Sequence, residues 1–187
     1  MLYARLATGY RPGGPNAVFA DVPPQVGSDS IVNYEAGIKS QFLGRRGLFN
    51  LSIFRIDWKD IKLNVVDARN NGYNINGGTA RSQGVEVTTN YSPLRGQRFS
   101  GNAAYTDAYL TEAVPSQKWT SGSALPSAPR WTASLAVQYE FALPGSWRAT
   151  AGGGYRYVGK RFTTVESDPD AVQLPAYDVV DLNLGFS

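Results

Sequence analysis

The chain has 187 residues, a net charge of +3 at pH 7, and neither cysteine nor histidine. That length is enough for one domain with a sizeable core, and the charge is too mild and too scattered to argue for a nucleic-acid partner. The missing cysteines exclude disulfides and thiolate chemistry, and the missing histidines remove the commonest catalytic base and metal ligand.

In chain order, alternation of side-chain character predicts strands, because residues two apart share a face. Leu2 to Arg11 is the first, with Leu2, Ala4 and Leu6 on one face and Tyr3, Arg5 and Ala7 on the other. Residues 12–30, rich in Pro, Gly and Asp, read as a long loop. Ile31 to Leu43 alternates cleanly, and Gly44 to Gly47 reads as a tight hairpin turn. Leu48 to Leu63 is the third strand. Its phase slips at Ile56 and Trp58 and slips back at Ile61 and Leu63, which predicts one or two bulges.

Asn64 to Gly78 reads as a second long loop. Ala80 to Leu110 is a hairpin turning at Ser92 to Gln97, with Val85, Val87 and Tyr91 on an apolar face and Glu86, Thr88 and Asn90 opposite. Thr111 to Leu125 is a third long loop. Trp131 to Phe141 shows the clearest alternation, followed by a short Pro144-Gly145 turn and a strand from Trp147 to Phe162. Residues 163–175 form a fourth long loop, and Tyr177 to Phe186 is the eighth strand. Gly152 to Gly154 is mid-strand, with no Lys-Ser/Thr after it, and so is not a phosphate loop; it relieves crowding beside bulky neighbours.

Connections thus alternate long and short, the sorting expected of an outer-membrane barrel with short periplasmic turns and long outer loops. No apolar run approaches the roughly 18 residues of a membrane helix, but a barrel strand needs an apolar residue only at every second position. Aromatic residues flank the short turns: Phe42 and Phe49, Tyr91 and Phe99, then Tyr139, Phe141 and Trp147. Strand propensity alone does not gather them there, whereas an interfacial girdle does. The fold class is therefore all-β, an antiparallel up-and-down meander of about eight long strands forming part of a transmembrane β-barrel.

Four segments carry a resemblance: Gly9 to Asn16 (GYRPGGPN), Tyr34 to Lys39 (YEAGIK), Ile56 to Ile61 (IDWKDI) and Ala80 to Glu86 (ARSQGVE). In order and spacing they resemble successive strands of TonB-dependent outer-membrane receptors, and the resemblance extends over essentially the whole chain. It implies a barrel of about 22 strands holding a plug, of which residues 1–187 are expected to be a partial piece from the later part of the barrel. The plug, the energy-coupling motif, a signal peptide and the final strands are expected to lie outside it. The implied function is uptake of a scarce solute, most often a ferric siderophore, across the outer membrane of a Gram-negative bacterium. The implied partners are that solute, outer-membrane lipid and an inner-membrane TonB complex acting through the plug; no cofactor, catalytic residue or nucleic acid is implied. An open piece also leaves two sheet edges with unpaired backbone groups, and the first and eighth strands are not expected to pair.

The inward face is expected to carry Arg5, Arg11, Glu35, Lys39, Glu86, Glu140, Arg148 and Arg156, mostly as a solvated, mutually paired wall. Glu86 and Arg81, inside a family-like segment, are the expected exceptions. The long loops hold Arg69, Tyr73, Lys118, Trp119, Lys160 and Arg161, and cationic and aromatic groups suit an anionic, aromatic chelate. Arg11, Tyr73, Arg81, Glu86, Trp119 and Arg161 are the candidate ligand contacts. Glu166, Asp168 and Asp170 have oxygen-ligand spacing for Ca²⁺, but a solvated loop is the simpler reading, and no metal site is assigned. Two other classes remain open. A small outer-membrane enzyme would need paired rim carboxylates, and a soluble β-sandwich would bury the Leu135/Val137 face against a second sheet.

Overall fold

The computed structural model of the protein describes residues 1–18, 22–67 and 69–187. Residues 19–21 of the first expected loop and residue 68 of the second lie outside the described residues. The strands run β1 (Leu2–Arg11), β2 (Gly14–Pro15), β3 (Gln25–Val26), β4 (Asp29–Phe42), β5 (Gly47–Lys59), β6 (Lys62–Val66) and β7 (Gly72–Asn76). They continue as β8 (Ala80–Tyr91), β9 (Gln97–Leu110), β10 (Trp131–Ala142), β11 (Arg148–Val158), β12 (Arg161–Phe162), β13 (Gln173–Leu174) and β14 (Tyr177–Phe186). Eight of them make one sheet in the order β1-β4-β5-β8-β9-β10-β11-β14, an up-and-down meander. β1 and β14 are its two edges and do not pair with each other, as expected.

Alternation sets two faces. Leu135, Val137, Leu182 and Leu184 stand on the apolar one and are exposed, Leu182 at 86%. No second sheet seals this face in the described residues, so the soluble-sandwich reading fails. The aromatics beside the short turns share it: Phe42, Phe49, Tyr91, Phe99, Tyr139 and Trp147 are all exposed, and Phe141 stacks on Tyr139 with ring centroids 5.3 Å apart. Trp131 and Phe141 are ten residues apart on β10. At about 3.3 Å per residue and a tilt of about 45°, their rings are about 23 Å apart along a membrane normal, close to the apolar band of about 25 Å.

The phase slip in β5 is not a bulge. Its register is continuous with β4 from Ser30↔Lys59 to Phe42↔Gly47, and with β8 from Gly47↔Tyr91 to Trp58↔Ala80. What changes is the surroundings. Below, Phe49, Leu51 and Ile53 point to the apolar face; above, the same face carries Arg55, Asp57 and Lys59, while Ile56 and Trp58 point the other way. Beyond the apolar band the outer face meets water and the inner face meets packed loops, so polarity inverts without a register shift. The strand ends at Lys59, short of the expected Leu63, because Asp60 takes a left-handed φ of 54°. Likewise β11 ends at Val158 rather than at residue 162.

The long connections are structured where the sequence suggested irregular loops. Lys62–Val66 and Gly72–Asn76 pair as the β6–β7 hairpin, and β2–β3 is clamped to it by Asn16, whose Nδ2 donates to Asn74 O at 2.8 Å and whose Oδ1 accepts from Asn74 N. The third loop runs on to residue 130 and contains a 3-10 turn at Pro115–Gln117. The hydrophobic core lies here, above the sheet, and comprises Ile61, Leu63, Val65, Ala80, Ala108, Leu110, Val114, Trp119, Leu125 and Val165. Ala80, Ala108 and Leu110 belong to the polar-face side of their strands, so the loops fold inward over that face. Gly152 sits against Asn183, whose Oδ1 would lie 2.4 Å from an added Cβ, the crowding its position predicted.

Candidate functional site

On the polar face Arg5, Arg11 and Arg148 pair with Glu35, Asp29 and Glu140, whereas Lys39, Glu86 and Arg156 make no salt bridge among the described residues. On its β1–β4 side, Tyr3 Oη and Arg5 Nη2 donate to Glu35 at 2.7 and 2.8 Å. Near the short turns, Arg148 Nη1 donates to Glu140 at 2.7 Å. Beside the Arg5–Glu35 pair, on β1, β4, β5 and β8, Arg5, Asn33, Glu35, Ser52, Phe54, Ile56, Ser82 and Glu86 line a depression of about 400 Å³. Glu86 makes no salt bridge among the described residues, and the buried Asn33 Oδ1 finds no donor. This stretch of wall presents acceptors.

At the loop-ward mouth, the last β1–β4 register pair is Arg11↔Asp29. Asp29 is fully buried, and a buried carboxylate persists only when paired and hydrogen-bonded. Arg11 Nε donates to both carboxylate oxygens at 3.0 and 2.9 Å, and its Nη2 donates as well. Trp58 Nε1 adds a bond at 2.9 Å and Lys62 N one at 3.4 Å. The Arg11 guanidinium also lies 5.0 Å from the Trp58 ring centroid. Asp29 is thirteen residues from Phe42 on β4, about 30 Å along the membrane normal and so above the apolar band. The Arg11 hydrogen bond, with those of Trp58 and Lys62, holds its carboxyl down at about 2 and raises Arg11 in return. Further out, Asp67 at the hairpin tip is lowered by the Asn71 backbone and side-chain N–H groups.

The six candidate contacts do not converge. Arg11 is at the mouth, half-exposed. Tyr73 packs its half-buried ring on the loop core. Glu86 is on the polar wall. Arg81 is not on that wall, because five residues separate it from Glu86 and odd separations reverse the face. It points outward and donates to Asp57 at 2.8 Å, beside Arg55. Trp119 is 1% exposed inside the loop core, with its Nε1 donating to Asp168 at 2.7 Å. Arg161 lies over Tyr177, 5.4 Å from the ring centroid. The acidic loop residues are tied locally: Asp168 also accepts from Asp170 N, and Glu166 accepts from Ala124 N at 3.1 Å. Asp29 was missed from sequence because its partner becomes visible only once the β1–β4 register is known.

Residues 1–187 match the sequence profile of the family described as TonB dependent receptor-like, beta-barrel. The metal-pseudopaline receptor CntO of Pseudomonas aeruginosa is 32% identical over 182 residues, 97% of this chain and 24% of the relative. The ferric yersiniabactin uptake receptor FyuA of Yersinia pestis superimposes with a TM-score of 0.79 at 20% identity, over 98% of this chain and 27% of that one. BauA, the ferric preacinetobactin receptor of Acinetobacter baumannii, gives 0.73 at 21% identity, over 99% and 27%. These structural likenesses carry the fold, and the chain spans about a quarter of the length of the proteins it matches. With its full length matched by the profile and its eight-strand meander superimposing on receptor walls, the chain belongs to the TonB-dependent receptor β-barrel family.

Proposed function

We propose that this chain is the wall and outer mouth of a Gram-negative outer-membrane receptor that imports a metal chelate, driven by a TonB complex acting through a plug of the kind the family carries. One observation carries the reading: the sheet exposes an apolar, aromatic-bordered face, while its polar face ends under an inward-folded loop core. A lipid-facing wall around a solute path requires that arrangement, and membership of the family supplies the class of cargo. No bond of the cargo is made or broken. Arg11 and Tyr73 flank the entry and Glu86 lines the path; Arg81, Trp119 and Arg161 are left out of the cargo surface on account of where they point.

The ferric-siderophore reading draws on FyuA and BauA, named for ferric chelates. A chelate of another metal is the second reading, favoured because the relative at 32% identity is named for metal-pseudopaline. Uptake by cells expressing the protein, measured with radiolabelled ferric and nickel chelates, separates the two. Accumulation should stop when the proton-motive force is dissipated, and Glu86→Gln should lower its rate without changing the amount of protein in the membrane. Accumulation that continues without the proton-motive force would overturn the proposal.

A further inference from the structure

The short connections hold the positive charge of the chain. Arg45 and Arg46 lie in the first, Arg95 and Arg98 in and beside the second, and Arg148 just after the third, against a single carboxylate, Glu140. That local excess is larger than the net +3 of all 187 residues. At the turn end of β8, β9 and β10, Arg46, Leu94, Arg95, Arg98, Gln138 and Glu140 line a concavity of about 640 Å³. Its frame is fixed by the backbone: Ser92 N donates to Arg46 O at 2.8 Å, Gln97 N to Leu94 O at 3.1 Å and Glu140 N to Gly96 O at 2.8 Å. Arg98 and Gln138 are a register pair on the polar face, and Glu140 follows two residues on, whereas Tyr91, Phe99 and Tyr139 border the opposite face. The concavity therefore lies on the inward side of the wall, at the end where a receptor barrel meets the periplasm.

Its charge is unanswered. Glu140, the one carboxylate in it, is taken by Arg148 Nη1 at 2.7 Å. Arg46, Arg95 and Arg98 make no salt bridge among the described residues, and Arg46 Nη1 reaches Pro93 O at 3.5 Å. Three guanidinium groups around one concavity repel one another and concentrate anions between them. A guanidinium meets a carboxylate through two parallel N–H···O bonds. Leu94 stands 65% exposed in the same wall, an apolar contact that a simple anion leaves unused. We propose that this concavity docks an acidic peptide segment of a periplasmic partner protein, with carboxylates on Arg95 and Arg98 and an apolar side chain on Leu94. The import reading enters only in placing the short turns in the periplasm. A peptide is favoured over a lipid headgroup because the bilayer meets the aromatic-bordered face, and Arg98 and Gln138 stand on the other.

The test titrates the purified full-length protein, in non-ionic detergent, with a fluorescein-labelled glutamate-rich peptide holding one leucine, and reads fluorescence anisotropy. Saturable binding of one peptide per chain is expected, weakened by salt and lost when glutamine replaces the glutamates. The double variant Arg95→Gln/Arg98→Gln should weaken it at least tenfold. Arg45→Gln, which removes the same charge from the adjoining turn but outside the concavity, should leave it unchanged. No binding, or a smaller loss in the double variant, would overturn the proposal. So would an equal loss in Arg45→Gln, which reduces the effect to net charge, or displacement of the peptide by phosphatidylglycerol, which assigns the site to lipid. Should the double variant fail to fold by circular dichroism, Arg95→Gln alone decides: a loss of at least threefold upholds the site and a smaller one overturns it. Transport plays no part in this titration. Absent peptide binding beside normal chelate uptake therefore strikes the docking alone, and normal peptide binding beside absent uptake strikes the import reading alone.

Discussion

Trp119 Nε1 donates to Asp168 Oδ2 at 2.7 Å, fastening two loops that are 49 residues apart in the chain. The indole is sealed in the loop core, so this one bond both satisfies a buried donor and sets how the loops sit over the mouth. Asp168→Ala leaves the indole N–H without its acceptor, at a cost of about 1–3 kcal/mol. Trp119→Ala also empties the core and costs about 3–5 kcal/mol. Hydrogen exchange should accelerate across 111–130 and 163–172 while β8 to β11 keep their protection. Asp168→Asn, which retains an acceptor oxygen, should restore most of it. Uniform loss of protection in the strands would show that the loops and the wall unfold together.

The Arg11–Asp29 pair predicts an acid transition at the mouth. The Asp29 carboxyl is held at about 2 against an ordinary 3.8, so the folded state favours the ionised form. Its contribution is fully present above about pH 4 and is lost as pH falls toward 2. The difference corresponds to about 2 kcal/mol. Hydrogen exchange at the upper ends of β1 and β4 should rise through that window in the wild type, and Asp29→Asn should remove the pH dependence while leaving the site weakened at every pH.

Neighbouring positions on β10 should respond oppositely to charge. Val137 faces the apolar side in mid-band, and Arg there should cost about 2–4 kcal/mol of folding into lipid vesicles. Ala136 faces the polar side, opposite Ser100 and Gly154, and Arg there should cost under about 1 kcal/mol. Urea titrations of vesicle-folded protein provide the comparison, and equal costs would contradict the assignment of the two faces.

Two turn glycines separate backbone conformation from contact. Gly44 and Gly96 both have positive φ, 64° and 79°, but a Cβ on Gly44 meets nothing within 4 Å, whereas one on Gly96 would lie 2.0 Å from Glu140 O. Gly44→Ala should cost about 1–2 kcal/mol from the left-handed backbone alone. Gly96→Ala should cost at least twice as much, because the carbonyl it displaces is on the neighbouring strand β10, whose Glu140 N bonds Gly96 O at 2.8 Å. Thermal unfolding of the two variants side by side measures the difference.

The wall was legible from sequence because alternation of side chains is a local property with period two, and lipid on one face imposes it along the strands. Leu135 and Val137 on one side and Gln138 on the other need no knowledge of partners. The inversion at Ile56 and Trp58 shows where that logic stops. The pattern records what each face touches, and above the band the outer face touches water while the inner face touches loops that only tertiary packing brings there. For the same reason the sequence could not show that Trp119 would be sealed in a loop core, that Arg81 would pair outward with Asp57, or that Asp29 would be the partner of Arg11. Each depends on the register of strands or the meeting of loops distant along the chain, and no period of two or four residues encodes contacts across 18, 24 or 49 positions.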